Sequence, residues 1–534
     1  MGNRYRVATQ DSLEPAKQKS IIDTYPPPVG GWNARDALSA MPITDAPVLN
    51  NMLAQPSQVI QRLGSTAWST GYSAQVNTLM PYNSSSAGSR KLFAASGSNI
   101  YDASTGGAIG AAVVTGLGSS WWQYVNFASS AGQFLVCVNG ADPMQTWNGL
   151  AWTATASLSI TGGGSLTMAT VIGVAIYEST LYFIPSATLG FYYQPAQQIF
   201  GTVTYFNLAA LCRRGGYLMA IDSWTVDGGN GPQDYFVAIT SEGEVVIYQG
   251  LAFSTAIGSP GAMNLVGVYY IGRPMGRRCT FKFGGDLLIM TERGVFPISV
   301  ALQAATINRT VAVTDKIEPA FVADTSALYN SNGWQMESHM QGQFLLINLP
   351  TTPTEQYVMQ FQTRGWSQFL GWTAYCWLYT NGTLYFGGLD PATGLNAVVQ
   401  AYTGVTDGTN AITTQCMPAF SQLKIPARQK HVKMVRPYWQ ANGNFGYSVD
   451  GMVDYNLSTP MSIPSSSGTI AAGLWDSAFW DNGVWGGNNS YTHQWSTVAT
   501  WPCVAFAPFF QTTSKAGVPA LQAYDILYTA GGVL

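Results

Sequence analysis

The stretch from Gly30 to Gly64, GGWNARDALSAMPITDAPVLNNMLAQPSQVIQRLG, separates two parts of the chain that differ in character. Before it lies a polar segment that ends in Pro26-Pro27-Pro28, and after it come several hundred residues of short runs rich in apolar and β-branched residues. The stretch has little regular hydrophobic period and carries Arg35, Asp36 and Asp45. We interpret it as an extended clasp that leads an N-terminal arm into a β domain.

The composition points to a β protein with a covered surface. Of the 534 residues only 10% are charged, against about 25% in an ordinary globular protein, and 13% are aromatic. Low charge with 57 glycines and many aromatic residues suits sheets with tight turns, and it also suits a surface covered by other subunits. A secreted β protein with a neutral surface is the alternative. The net charge of −3 argues against a protein that grips nucleic acid through a basic face.

Hairpin-like units recur along the middle of the chain. VAITSEGEVVIYQ, at residues 237–249, resembles LLIMTERGVFPIS, at residues 287–299, and their turn glycines Gly243 and Gly294 are 51 residues apart (294 − 243). Hairpin units that recur every 40–50 residues or so are typical of the blades of a β-propeller. A pair of β-sandwiches would also show short strands, but the near-copy favours blades, and we expect six to eight of them.

We therefore predict a mainly β protein, a β-propeller with an additional C-terminal β-sandwich-like domain and an extended N-terminal arm. The expected parts are the arm at 1–29, the clasp at 30–72, the propeller at 73–405 and a C-terminal β-rich domain at 406–534. One short helix is expected around Asp315–Ala323, interrupted by Pro319. The basic stretch from Lys424 to Arg436 could meet DNA or an acidic neighbour, although the solvated face of a strand is favoured.

A tryptophan-rich segment lies near the C-terminus. It has the pattern W-D-x-x-x-W-D-x-x-x-W, formed by Trp475, Asp476, Trp480, Asp481 and Trp485. The interval of five residues (480 − 475) fits neither a strand face nor a helix face, so we expect a looped segment anchored by its indoles. Because tryptophan is frequent in the centres of protein interfaces, this segment is predicted to lie at a subunit contact.

We find no motif for catalysis, for a cofactor or for a metal. The chain lacks a nucleophile elbow, a P-loop, the His-Glu-x-x-His motif and the repeated boxes of propeller sialidases. The six cysteines are scattered without C-x-x-C, which predicts buried free thiols. The paired basic residues Arg213-Arg214 and Arg277-Arg278 could bind phosphate or the carboxylate of a neighbour, but a solvated surface is favoured.

The clasp resembles the start of the β-propeller tail nozzle (tail tube or hub) proteins of short-tailed bacteriophages. The pattern GG-x-N-x-R-D-x-x-x-x-M-x-x-x-D-A-x-x-L-x-N of that family is met from Gly30 to Asn51. The tryptophan-rich segment and the terminal Gly-Gly-Val-Leu are also similar to that family. We expect interface roles for Arg35, Asp36 and Asp45: Arg35 and Asp36 would lock the first blade or a neighbour, and Asp45 would be a turn or cap residue.

The resemblance further implies a structural virion protein. It would form a ring of six copies below the adaptor and portal proteins, would contact tail fibres or plug proteins and transiently the host envelope, and would let phage DNA pass through its lumen without sequence-specific binding. The polar first 25 residues do not resemble a signal peptide, and no run approaches the roughly 20 apolar residues of a membrane span, which suits a virion part made in the host cytoplasm. The alternative is a propeller-type tail fibre or surface protein that binds or degrades glycans.

Overall fold

The structure is a computed structural model, and it describes residues 20–227, 232–256, 258–301, 311–457, 490–498 and 500–533. Within these residues, seven sheets of three or four antiparallel strands follow one another along the chain, and we number them as blades one to seven. Their strands, in order, are Val76–Tyr82, Lys91–Ser96 and Asn99–Asp102 (blade one); Gln123–Ser129, Gly132–Val138, Met144–Trp147 and Trp152–Thr155 (two); Val171–Tyr177, Thr180–Pro185, Gly190–Tyr193 and Thr204–Asn207 (three); Leu218–Asp227, Pro232–Thr240, Glu244–Gln249 and Asn264–Tyr270 (four); Thr280–Phe283, Asp286–Thr291 and Gly294–Pro297 (five); Gln335–His339, Phe344–Leu349, Glu355–Gln360 and Trp366–Phe369 (six); and Ala374–Thr380, Thr383–Leu389 and Asn396–Ala401 (seven).

The two near-copies in the sequence occupy equivalent places. Gly243 turns the chain between the second and third strands of blade four, and Gly294 begins the third strand of blade five. Both glycines have a positive φ, of 84° and 147°, which residues with a side chain rarely adopt. The prediction that this repeat marks blades is confirmed.

The blades form a closed ring because each one shares an apolar core with the next. The cores lie between consecutive blades in cyclic order, including one between blade seven and blade one. Residues facing each other across these cores include Met80 and Leu135, Val136 and Phe183, Tyr182 and Phe236, Ile247 and Leu287, Met290 and Leu345, Leu346 and Trp377, and Leu378 and Leu79. The predicted β-propeller is thus confirmed, with seven blades in the part of the chain that the structure describes.

A strand from the N-terminal side completes blade seven. Ser65–Thr70 pairs antiparallel with Asn396–Ala401, so that Ser65 lies opposite Ala401. The first and last parts of the propeller sequence are therefore held in one sheet, which resists opening of the ring. The short strand Gly107–Ala108 lies parallel to Ser65–Thr70 on its outer side.

Beyond the propeller, two sheets face each other as a β-sandwich. One sheet contains Ser20–Tyr25, Met52–Ala54, Val59–Gln61, Arg428–Ala441, Ser490–Thr492, Ser496–Thr497 and Ala520–Val533. The other contains Val48–Asn50, Ile412–Met417, Phe445–Val453 and Phe506–Ser514, and it continues through Val48–Asn50 into blade six. Trp439, Phe510 and Tyr524 pack between the sheets.

Part of the predicted arm belongs to this sandwich. Ser20–Tyr25 pairs along its whole length with Ala520–Val533, whereas residues 1–19 lie outside the described residues. Arg428–Ala441 alternates buried and exposed residues, as expected for a strand with a solvated face.

Among the described residues, the helices are few and short. They are Ile298–Ala301 and Glu318–Leu328, with 3-10 turns at Ala87–Ser89, Met168–Thr170 and Asp315–Ile317. The expectation that Pro319 interrupts a helix is wrong, because Pro319 lies in the first turn, where the missing N–H has no helical acceptor to lose. The remaining strands are the hairpin Ser157–Ser159 and Ser165–Thr167, and the pair Gly31–Trp32 and Asp45–Ala46.

Candidate functional site

The clasp joins the propeller to the sandwich. Gly31–Trp32 pairs with blade six at Trp366, and Val48–Asn50 lies between Gln368 of blade six and the sandwich strand Ile412–Met417. The Asn51 N–H donates to the Gln368 carbonyl at 2.7 Å, and the Asn51 side chain donates to the Thr413 carbonyl at 2.9 Å. A single stretch of chain therefore carries hydrogen bonds to both units.

Close packing explains the two glycines that open the clasp. A Cβ on Gly30 would lie 1.9 Å from an oxygen of Asp45. Gly31 has a φ of 81°, and a Cβ there would lie 2.5 Å from the backbone nitrogen of Trp366. Gly30 is therefore required for space, and Gly31 is required both for space and for its backbone conformation.

Asp45 is a buried carboxylate at the centre of the clasp. It accepts hydrogen bonds from the Asn33 amide at 2.8 Å and from the Lys316 ammonium at 2.9 Å. Lys316 also donates to the Gly30 carbonyl at 2.9 Å. The ammonium offsets the cost of burying the carboxylate, and the contacts fix the clasp to the segment between blades five and six.

Arg35 and Asp36 lie at the rim of the same cluster. The Arg35 guanidinium donates to Asp36 at 2.8 Å and also binds Asp315, while the Asn33 amide donates to Asp36 at 2.9 Å. The long-range partner of Arg35 is Asp315, in the segment before the helix Glu318–Leu328, and not a residue of the first blade. Asp36 and Asp315 hold the pKa of the Arg35 guanidinium above its usual range. Arg35 and Asn33 hold the pKa of the Asp36 carboxyl below its usual range.

The second set of predicted interface residues belongs to the tryptophan-rich segment. Trp475, Asp476, Trp480, Asp481 and Trp485 all lie outside the described residues.

A buried ion pair, which the sequence analysis missed, closes the clasp. The Arg62 guanidinium donates to both oxygens of Asp407, at 3.0 and 2.6 Å, and lies over the Trp372 ring at 4.2 Å. Asp407 also accepts hydrogen bonds from the Ser65 hydroxyl and the Trp372 indole. The only signal for this pair in the sequence is a lone arginine in the apolar run of residues 59–64.

A cavity of about 460 Å³ lies on the axis of the propeller. Residues from the inner strand of each blade, or from just before it, line the cavity: Leu79, Gln123, Ala175, Ile221, Lys282, Gln335 and Trp377 are one from each. Four charged side chains contribute to the wall: Asp222, Arg277, Arg278 and Lys282. Lys282 lies 3.3 Å from Asp222 and donates to the Ser223 hydroxyl at 2.7 Å, so one cation of the wall is paired.

Arg278 ties three other blades together at the axis. Its guanidinium donates to the Thr78 hydroxyl at 2.8 Å, to the Trp122 carbonyl at 3.0 Å and to the Gln335 amide oxygen at 3.1 Å. The expectation that the Arg277-Arg278 pair lies on a solvated surface is wrong for Arg278, because the inner strands surround it. Desolvation lowers the pKa of both guanidinium groups.

In the part of the chain that the structure describes, no group of three or more His, Cys, Asp or Glu side chains could hold a metal ion. The six cysteines are free and buried, as predicted, and burial raises the pKa of the Cys376 and Cys503 thiols to about 11, which keeps them unreactive near neutral pH. Burial also raises the pKa of the Glu337 carboxyl to about 7.

No helix among the described residues is long and apolar enough to cross a membrane. The strand that begins at Ala520 contributes Leu521, Tyr524, Ile526 and Tyr528 to an apolar core.

Comparisons with known proteins find similar solved structures at low sequence identity. No family model matches the chain, and no curated protein matches it. Similar solved structures are BBS1N in complex with ARL6DN, the Cps50 (Swd1) β-propeller domain of Myceliophteria thermophila and YCF48 bound to D1 peptide. The first is 8% identical and covers 64% of this chain and 98% of that chain, with a TM-score of 0.38. The second is 12% identical and covers 64% of this chain and 100% of that chain. The third is 10% identical and covers 69% of this chain and 99% of that chain, and both have a TM-score of 0.36.

Proposed function

We propose that this chain is a structural subunit of the tail of a short-tailed bacteriophage, and that six copies form the nozzle ring through which DNA leaves the particle. The proposal assigns no bond-making or bond-breaking step to the protein. Its mechanism is assembly, with the propeller as the wall of the ring and the clasp as the joint that keeps propeller and sandwich in one rigid unit.

The observation that carries the proposal is the structural use of the clasp pattern. Gly30, Gly31, Asn33, Asp45 and Asn51 are fixed positions of the nozzle-like pattern, and each makes a contact that the joint needs. Ala46 and Leu49, also fixed, are completely buried. The pattern supports a shared architecture with the nozzle proteins because seven of its ten fixed positions are explained by this joint, and the function is proposed from that resemblance.

Low surface charge and exposed apolar side chains also support an assembled state. The outer strand of blade four exposes Leu265, Val266 and Val268, each by more than a third. Contiguous exposed apolar side chains are typical of surfaces that partners cover.

The test is the mass and shape of the purified full-length chain. Six times the chain mass of 57.3 kDa is about 344 kDa, and we expect particles of that mass that appear as six-fold rings in negative-stain images. Monomers that cleave a host polysaccharide would overturn the proposal in favour of a glycan-degrading protein. Trimers that bind polysaccharide without cleaving it would overturn it in favour of a fibre.

A further inference from the structure

The axial cavity contains positive charge without matching negative charge. Among the ion pairs of the described residues, none includes Arg277 or Arg278, and the one acid of the cavity wall, Asp222, is paired with Lys282. Two guanidinium groups therefore line the cavity without forming an ion pair with a carboxylate. Such charges are costly to desolvate, and a bound anion would offset that cost.

The two arginines differ in what they offer to a ligand. Both terminal nitrogens of Arg278 donate to protein acceptors on blades one, two and six, and its guanidinium lies 5.7 Å from the Trp121 ring. These contacts hold its charge in place. Arg277 is exposed and lines the cavity, and its Nη1 donates a 3.3 Å hydrogen bond to the Asn139 carbonyl. Most of the N–H groups of Arg277 therefore remain available to a ligand.

The arginines also divide the axis. A smaller cavity of about 210 Å³ lies at the end where the inner strands begin, and Gln123, Arg277 and Arg278 line both cavities. A molecule that enters the larger cavity thus reaches a floor formed by two guanidinium groups and an amide. The planar fork of N–H groups on arginine matches the oxygen pairs of phosphates and carboxylates, which selects this ligand chemistry over cations and neutral molecules.

We propose that the axial cavity binds a small oxyanion, a phosphate or a carboxylate, with Arg277 as the direct donor and Arg278 as the fixed charge behind it. The volume of the cavity is within the usual range of small-molecule sites and accommodates either a free phosphate or a sugar acid. This site is separate from ring assembly, so its test is independent of the proposed tail function.

The experiment is isothermal titration calorimetry of the full-length chain, in a phosphate-free buffer of low ionic strength, with inorganic phosphate, glucuronate and glucose as three separate ligands. We expect saturable binding of one phosphate or one glucuronate per chain, and none of glucose, which resembles glucuronate in size but lacks the carboxylate. Binding of phosphate alone assigns the site to phosphate, and binding of glucuronate assigns it to acidic sugars. Absence of saturable binding for both anions would overturn the proposal.

Two variants localise the binding. Arg277→Gln is expected to weaken it about tenfold or more, because a charge-assisted hydrogen bond is lost. Arg90→Gln, which makes the same charge change at an exposed loop where Arg90 contacts Asn381, is expected to bind as the unaltered chain does. Equal weakening by both variants would show a non-specific charge effect and would overturn the assignment to the cavity. If Arg277→Gln does not fold, the comparison of glucuronate with glucose on the unaltered chain still tests whether binding requires the carboxylate.

Discussion

Arg62 and Asp407, 345 residues apart in the chain, form a two-point ion pair in which the arginine side chain is entirely buried. Arg62 lies near the end of the stretch Gly30–Gly64, and Asp407 follows the strand Asn396–Ala401 of blade seven. The pair therefore ties the entrance of the propeller to its exit, next to the strand Ser65–Thr70 that closes the ring.

Replacing Asp407 by asparagine should destabilise the protein strongly. The change leaves the Arg62 charge buried without a counter-charge, which costs about 3–5 kcal/mol. The midpoint of urea unfolding is expected to fall accordingly. The matched control is Glu242→Gln, which removes an exposed ion pair with Arg273 at 3.8 Å and should change stability by less than about 1 kcal/mol. Equal midpoints for Asp407→Asn and the unaltered chain would contradict a structural role for the pair.

Gly31→Ala should disrupt the joint between propeller and sandwich. The positive φ of Gly31 alone costs an alanine about 1–2 kcal/mol, and the clash with Trp366 adds to that. We expect a lower thermal midpoint and faster proteolysis within residues 30–64. Gly110→Ala is the control, because a Cβ there meets nothing within 4 Å and its backbone does not have a positive φ. Similar midpoints for the two variants would show that the clasp does not bear on stability.

The partly buried Glu337 should make stability fall as pH rises. Burial raises the pKa of its carboxyl from 4.5 to about 7, so the folded state binds a proton that the unfolded state releases. The contribution is fully present below about pH 4.5 and is lost as pH rises to about 7, by up to about 3 kcal/mol. Burial lowers the pKa of His339 to about 4, which gives an opposite slope between about pH 4 and 6.5 and hides part of the effect.

His339 is present in both the Glu337→Gln variant and the unaltered chain. Its contribution therefore cancels in the difference between their free energies of unfolding. We expect this difference in unfolding free energy to shift in favour of the variant between pH 5 and pH 8, measured by denaturant unfolding at each pH. A difference that stays constant over this range would mean that the carboxyl does not titrate with a raised pKa.

Local patterns predicted the blades, because a hairpin is a local structure. The runs around Gly243 and Gly294 alternate and turn within a dozen residues, and the structure uses both runs as hairpins of adjacent blades. The buried thiols and the solvated strand face of Arg428–Ala441 were predictable for the same reason, since composition and a period of two residues suffice.

Pairings over long distances were not predictable. The sequence of Ser65–Thr70 contains no mark of its partner in blade seven, and nothing near Arg62 indicates Asp407. Arg278 was assigned to a solvated surface because basic residues usually lie there, but the closed ring places it at the axis, where acceptors from three blades surround it. These contacts form only when the ring closes. No single segment of the sequence indicates which distant residues ring closure brings together.

Deletion of residues 1–29 should unfold part of the sandwich. It removes the strand Ser20–Tyr25, including Asp23, which accepts a hydrogen bond from the buried Tyr528 at 2.9 Å, and Tyr25, which stacks on Tyr524. Deletion of residues 1–19 keeps that strand and is the cleaner test of an assembly role for the N-terminus. We expect a thermal midpoint several degrees lower for the longer deletion than for the shorter one. Equal midpoints would contradict the role of Ser20–Tyr25 in the sandwich.

The number of copies of this chain in purified virions tests the proposed function most directly. Quantitative mass spectrometry against the portal protein of the same particles gives this number, and electron microscopy with an antibody to the chain gives its place. If the proposed function is right, we expect six copies per particle, at the distal end of a short tail. Absence of the chain from the particles, or its presence as three copies per slender fibre, would contradict it.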